Sequence, residues 1–141
     1  MTDLASLSRQ IETLSQQVDE LTSRSAIRDL VSNYCLGFDS HDWDRFISIW
    51  HEDAVWDIGP PFGLFSGHQE IYQAVHDVLY PFWRESHHLS TNLLLTFEGP
   101  DIAQGVCNVD CISGVTSGVS SNASPYSFLS AAFNASSVSS M

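Results

Sequence analysis

The 141-residue chain has a formal net charge of −12, with five arginines and no lysine. A surface this acidic repels phosphate backbones and anionic lipid headgroups, which argues against nucleic-acid and membrane partners and favours a small, mostly apolar ligand. The length fits one domain, and an apolar fraction of 43% with 16% charged residues indicates a globular chain.

Cysteine content and the start of the chain bear on location. Cys35, Cys107 and Cys111 form no Cys-x-x-Cys pair, so zinc-ribbon and thioredoxin-like motifs are missing. The first residues lack the basic and apolar regions of a secretory signal, and no apolar run reaches the length of a membrane span. We therefore expect a cytoplasmic protein with reduced cysteines.

Residues 1–22 are predicted to form an amphipathic helix. Six apolar residues alternate spacings of three and four, the heptad pattern of a coiled-coil seam. They are Leu4, Leu7, Ile11, Leu14, Val18 and Leu21. Two interpretations stay open: an arm that pairs with another subunit, or an arm that lies on its own domain. So narrow a stripe suits a seam better than a wide core face.

The heptad pattern stops at residues 22–25, Thr-Ser-Arg-Ser, and a new apolar phase follows over residues 27–38. This change predicts a break and a second helix, capped by Ser23 or Ser25. Residues 39–42 are predicted to form a turn before another short helix.

The middle of the chain predicts short elements, and its end predicts a hairpin. Strand-like alternation covers residues 54–58 and 62–65, and helical spacing covers residues 68–80. The strongest hairpin signal pairs residues 87–97 with residues 102–112. Helices that precede paired strands predict an α+β fold, with helices packed on one face of a curved antiparallel sheet.

The last segment, residues 113–141, is rich in serine and follows the last charged residue, Asp110. It lacks a clear two- or 3.6-residue period. We expect weak structure there, with at most a short strand around residues 127–133.

Several motifs, in this order, resemble the SnoaL-like domains of the nuclear-transport-factor-2-like (NTF2-like) superfamily. They are Ser25-Ala-Ile-Arg-Asp-Leu-Val-Ser-Asn-Tyr34, Phe38-Asp-Ser-His-Asp-Trp43, Ile49-Trp-His-Glu-Asp-Ala-Val-Trp56 and Glu85-Ser-His-His-Leu-Ser-Thr-Asn92. The resemblance covers residues 23–112, and the chain departs from the family beyond them. Within the superfamily the chain resembles the hexachlorocyclohexane dehydrochlorinases and, more distantly, the scytalone dehydratases and bile-acid dehydratases.

The resemblance implies a cone of helices over a curved sheet with an apolar pocket inside. It also implies cofactor-free lyase or isomerase chemistry, in a homo-oligomer that is a trimer or a dimer. The family's catalytic pair falls on Asp39 and His88. Its pocket-lining positions fall on Tyr34, Trp56, Leu79 and Trp83.

The residue types suit that chemistry. Histidine is the natural general base near neutral pH, and a buried aspartate fixes its tautomer and stabilises the imidazolium. In the simpler alternative, Asp39 only caps the following helix and His88 is an ordinary strand residue. His87 and His88 are neighbours on a strand and point to opposite faces, so no metal site is predicted. No nucleotide-binding loop occurs, and no cofactor is expected.

A non-catalytic function is the main alternative. The same fold serves as a structural small subunit in ring-hydroxylating dioxygenases, and this chain would then be a ligand-binding or assembly module. In that case the heptad helix would matter more than the pocket.

Overall fold

The computed structural model describes residues 3–81, 83, 85–99, 101–114 and 128–134. The elements follow one another as α1 (Leu4–Asp39), α2 (Trp43–Ser48), β1 (Val55–Gly59), β2 (Gly63–Ser66), α3 (Gly67–Gln73), a π-helical segment (Ala74–Leu79), β3 (Glu85–Phe97), β4 (Ile102–Gly114) and β5 (Phe128–Asn134). Helices come first and the long paired strands last, so the α+β prediction is confirmed.

Helix α1 is a single helix of 36 residues, and the predicted break at residues 22–25 is wrong. Its N-cap is Asp3, whose carboxylate accepts from the Ala5 amide at 3.3 Å, rather than Ser23 or Ser25. Arg24 stabilises the helix at the position of the predicted break. Its Nη2 lies 2.7 Å from the Glu20 carboxylate one turn earlier, and its guanidinium lies 4.8 Å from the centre of the Phe97 ring. These contacts outweigh the weak preference of serine and threonine for leaving a helix.

The second half of α1 packs along β3 and β4. Ile27 is buried against Leu95 and Ala103, and Val31 is buried with Cys107 and Val109 further along the helix. Burying an aliphatic side chain of this size contributes about 1.5–3 kcal/mol. The helix therefore runs antiparallel to β3, with Arg24 near the hairpin tip and Asp39 near the start of the strand.

Helix α2 lies close against the end of α1. Asp42 is its N-cap, and its carboxylate accepts from the Arg45 amide at 3.1 Å. Gly37 faces α2 so closely that a Cβ at this position would lie 2.9 Å from the Phe46 backbone nitrogen. The glycine is therefore needed for the approach of the two helices.

An aromatic core fills the space between the helices and the small sheet formed by β1 and β2. Its buried members are Phe38, Phe46, Trp56, Ile71, Ala74, Val75 and Leu79. The Phe46 and Trp56 rings lie 5.4 Å apart, in the tilted arrangement that aromatic pairs favour. The helix predicted over residues 68–80 is present, but its second half is a π-helical segment.

The main sheet has the strand order β3-β4-β5, and both pairs are antiparallel. The predicted hairpin is confirmed, and its register places His88 opposite Cys111. The register shifts between Thr91 and Leu94, where Asn92 has a left-handed φ of 57°. Strand β5 occupies the position predicted near residues 127–133.

The remaining part of the Ser-rich segment, residues 115–127 and 135–141, lies outside the described residues. The division of the chain at residues 22 and 112 stays a prediction. No described helix combines the length and apolar character needed to span a bilayer.

Candidate active site

Asp39 is the last residue of α1, and its position follows from how the helix ends. The Ser40 amide donates to the Leu36 carbonyl at 3.0 Å, after which the chain turns through His41 with a left-handed φ of 56°. A residue at such an end is free to point its side chain away from the helix surface. The Asp39 carboxylate thus reaches the beginning of β3.

His88 is the fourth residue of β3, and strand alternation determines which side it faces. Ser86 and His88 face α1, whereas His87 between them is exposed on the other side. The prediction that the two neighbouring histidines point to opposite faces is therefore confirmed.

The structure brings Asp39 and His88 together. His88 Nδ1 lies 2.6 Å from Asp39 Oδ1, and the His88 backbone amide donates to Asp39 Oδ2 at 2.7 Å. The His88 side chain is only 8% exposed and that of Asp39 17%. An ionised carboxylate only accepts, so the neutral ring holds its proton on Nδ1 and leaves the Nε2 lone pair free to take a proton.

Ser86 is a site residue that the sequence reasoning missed. It is only 3% exposed, and its hydroxyl donates to Asp39 Oδ1 at 3.0 Å. The carboxylate therefore accepts three hydrogen bonds, two of them on Oδ1. The available signal was its spacing, because residues two apart on a strand share a face, and Ser86 precedes His88 by two.

Aromatic rings surround the imidazole. The Phe38 ring centre lies 4.9 Å from that of His88, and the Tyr34 ring centre lies at 5.8 Å, both nearly edge to face. Both side chains come from the last turns of α1, one turn apart, on the side of Asp39. The dyad therefore has an apolar wall that limits its contact with water.

Tyr34 combines a ring in this wall with a hydroxyl that keeps its proton. Burial raises the pKa of Tyr34 well above its ordinary value, and the neighbouring Cys35, Cys111 and Asp39 add to the rise. A protonated phenol is a hydrogen-bond donor at any physiological pH. Tyr34 is thus a candidate donor to a bound molecule.

Two cysteines lie near the carboxylate and remain thiols. Burial raises the pKa of Cys35 above its ordinary value, and the Asp39 charge adds to the rise. Burial and the same charge raise the pKa of Cys111 to about 11. Cys35 is therefore a buried thiol and not a reactive thiolate.

The other predicted pocket residues belong to the aromatic core beside Tyr34. Trp56 is 4% exposed with its ring centre 6.3 Å from that of Tyr34, and Leu79 is 1% exposed. Trp83 is half-buried, and its ring centre lies 5.0 Å from that of Phe62. Contact of these side chains with a substrate stays a prediction.

A second histidine–aspartate pair has similar contacts in a different setting. His51 Nδ1 lies 2.5 Å from Asp53 Oδ1, but both side chains are largely exposed to solvent. The hydrogen bond from His51 lowers the pKa of Asp53. Asp44 and Glu52 are also exposed, so this region is a solvated acidic surface. The His51–Asp53 pair therefore differs from the Asp39–His88 pair in its exposure to solvent.

Across residues 3–81, 83, 85–99, 101–114 and 128–134, no group of three or more His, Cys, Asp and Glu side chains is arranged to hold a metal ion.

The chain is similar in sequence to known proteins. Residues 19–133 match the SnoaL-like domain family. Hexachlorocyclohexane dehydrochlorinase 1 of Sphingobium indicum is 36% identical over 101 residues, which cover 72% of this chain and 65% of that protein. The chain thus spans slightly less than two thirds of the length of this relative.

Solved structures resemble the fold. A hexachlorocyclohexane dehydrochlorinase from Novosphingobium barchaimii has a TM-score of 0.68 at 34% identity, covering 73% of this chain and 70% of that one. A scytalone dehydratase candidate from Novosphingobium aromaticivorans has a TM-score of 0.64 at 20% identity, covering 72% and 67%. The predicted NTF2-like fold is confirmed.

Proposed function

The chain belongs to the SnoaL-like domain family, and from this membership and the buried Asp39–His88 pair we propose that it is a cofactor-independent lyase or isomerase. The proposed substrate is a small, mostly apolar cyclic molecule that carries a leaving group next to an acidic C–H bond. The observation that carries the proposal is the 2.6 Å contact between His88 Nδ1 and Asp39 Oδ1 in a nearly dry setting.

In the proposed elimination, His88 Nε2 takes a proton from a substrate carbon. The electrons of the broken C–H bond form a C=C bond, and the leaving group departs from the adjacent carbon with the electrons of its own bond. Chloride leaves as the anion, whereas a hydroxyl group leaves as water by taking the proton from the His88 imidazolium. Asp39 stabilises the imidazolium, and the Tyr34 hydroxyl donates a hydrogen bond to the leaving group.

The surroundings of the pair support a role as a base. Three hydrogen bonds hold the Asp39 carboxylate, and one of them comes from the His88 backbone, so the two groups are fixed relative to each other. Because this geometry exists before substrate binds, little reorganisation is needed when the imidazolium forms. The acidic protein surface also suits a neutral substrate better than an anionic one.

The test compares the buried pair with the exposed pair. His88→Gln and Asp39→Asn remove the base and its partner, and His51→Gln and Asp53→Asn make the same changes on the surface. With a panel of chlorinated cyclohexanes and hydroxylated cyclic ketones, chloride release and water loss are the readouts. Loss of a general base costs about 10²–10⁴-fold in rate.

We expect the buried variants to lose activity by that factor and the surface variants to keep it. Turnover that survives both buried changes would refute the dyad. A wild-type protein that turns over nothing and copurifies with a stable larger partner would favour the assembly module instead.

A further inference from the structure

The first half of α1, residues 4–23, is hereafter the N-terminal arm. The helix docks on the sheet from Arg24 onward, and β3 ends at Phe97 beside that residue. The arm therefore continues beyond the end of β3 by about 30 Å, at 1.5 Å per residue. Its six heptad side chains expose between 41% and 81% of their surface, although they are the most apolar residues of the arm.

The apolar seam of the arm points away from its own domain. A residue advances by about 100° around an α-helix, so each of the six seam residues lies about 120–180° from Ile27, which faces the sheet. Helix α1 has no break at which the arm could rotate. An arm that packs on its own sheet would need such a break, so the partner must approach from the opposite side.

The residues of the seam match the rules for two parallel strands. Position a holds Leu4, Ile11 and Val18, and position d holds leucine throughout, at residues 7, 14 and 21. Two β-branched residues at a with leucine at every d favour a parallel dimer over a trimer or a tetramer. This pattern is self-complementary, because each position meets its own equivalent in a second copy.

The charges of the arm also permit self-pairing. The flanking positions that approach each other in a parallel pair hold Gln10 opposite Ser15 and Gln17 opposite Thr22, which are uncharged. The acidic side chains at residues 12, 19 and 20 lie on the outer positions. In a chain of net charge −12, the seam is thus free of the like charges that would oppose a second copy.

The buried area is sufficient. Six apolar side chains that expose between 41% and 81% of their surface provide roughly 600 Å² per helix, and a pair would bury about 1,200 Å², which reaches the lower limit for stable protein interfaces.

We propose that the N-terminal arm pairs with the arm of a second copy of this chain in a parallel two-stranded coiled coil. The pairing does not depend on the proposed reaction, because the arm lies outside the site.

The first experiment measures the mass of the full chain in 150 mM salt by light scattering and sedimentation. We expect a dimer at micromolar concentration. Leu14→Asp places a charge in the seam and should raise the dissociation constant at least tenfold, whereas Gln16→Asp adds the same charge on the outer face and should leave it unchanged. A separate melting transition of the domain, retained in both variants, shows that they fold.

The second experiment tests the strand direction. In a parallel pair each d position faces its own copy, so Leu7→Cys should form a disulfide-linked dimer on mild oxidation; the wild type, whose Cys35 and Cys107 are buried, is the control. A monomer, a trimer, a dimer that Leu14→Asp does not weaken, or absence of the Leu7→Cys crosslink would each overturn the proposal.

Discussion

Gly37 allows the closest approach between the two helices that carry and flank Asp39. A Cβ at this position would lie 2.9 Å from the Phe46 backbone nitrogen, 3.0 Å from its Cα and 3.1 Å from its Cβ. Two of these three atoms belong to the backbone, so a change of side-chain rotamer cannot relieve the contact. Gly37→Ala must therefore push α2 away from α1.

The expected cost combines two opposing effects. Overpacking of this kind destabilises by about 1–3 kcal/mol, and the better helix propensity of alanine returns about 1 kcal/mol. Because two of the close atoms are backbone, the upper part of that range, about 2–3 kcal/mol, applies, and the net loss in the free energy of unfolding is about 1–2 kcal/mol. For a urea slope of about 1–2 kcal/mol per molar, the midpoint should fall by roughly 1 M.

Urea unfolding followed by tryptophan fluorescence reports this change, because Trp43 and Trp50 pack around the aromatic core. Ser32→Ala is the control: Ser32 is exposed on the same helix and loses only a hydrogen bond to the Arg28 carbonyl. It should change stability by less than about 0.5 kcal/mol. If Gly37→Ala were as stable as the wild type or more so, the inferred contact between the helices would be refuted.

Two further predictions concern the groups around Asp39. Ser86→Ala removes the buried donor to Asp39 Oδ1 and should lower the free energy of unfolding by about 1–2 kcal/mol in chemical denaturation, and an unchanged value would show that the hydroxyl does not hold the carboxylate. The second concerns pH, because the pKa of Cys111 rises from 9.0 to about 11 on folding. Between these values the unfolded chain has lost a proton that the folded chain keeps, so stability falls as pH rises through this window. Cys111→Ala should flatten that fall in urea titrations from pH 8 to 11, and a curve as steep as that of the wild type would contradict the assignment.

The order of elements and the long hairpin were predictable because their signals are local. The spacing of apolar residues predicted the hairpin, and the polar stretch at residues 39–42 predicted the turn. The continuity of α1 was not predictable in this way. Serine and threonine at residues 22–25 indicate a break locally, whereas the contacts of Arg24 with Glu20 and Phe97 depend on the folded chain.

The site also contains features that the sequence could predict and features that it could not. Asp39 and His88 came from the resemblance, since nothing in their spacing brings two residues 49 positions apart into contact. Ser86 carried a usable signal in its strand spacing, but serine is too common to attract notice without the structure. The π-helical segment at Ala74–Leu79 has apolar spacing that equally fits an α-helix, so the sequence could not reveal it.

Because α1 is unbroken, a change in the length of the arm alters both how far the seam extends and the direction in which it faces. Each residue inserted or removed near position 23 turns the seam by about 100° relative to the sheet. An insertion or deletion of two residues would turn the seam toward the domain's own sheet. An insertion or deletion of seven residues would rotate the seam by only about 20°. Natural or engineered variants of this arm should therefore differ in length by whole heptads if they keep the same partner geometry.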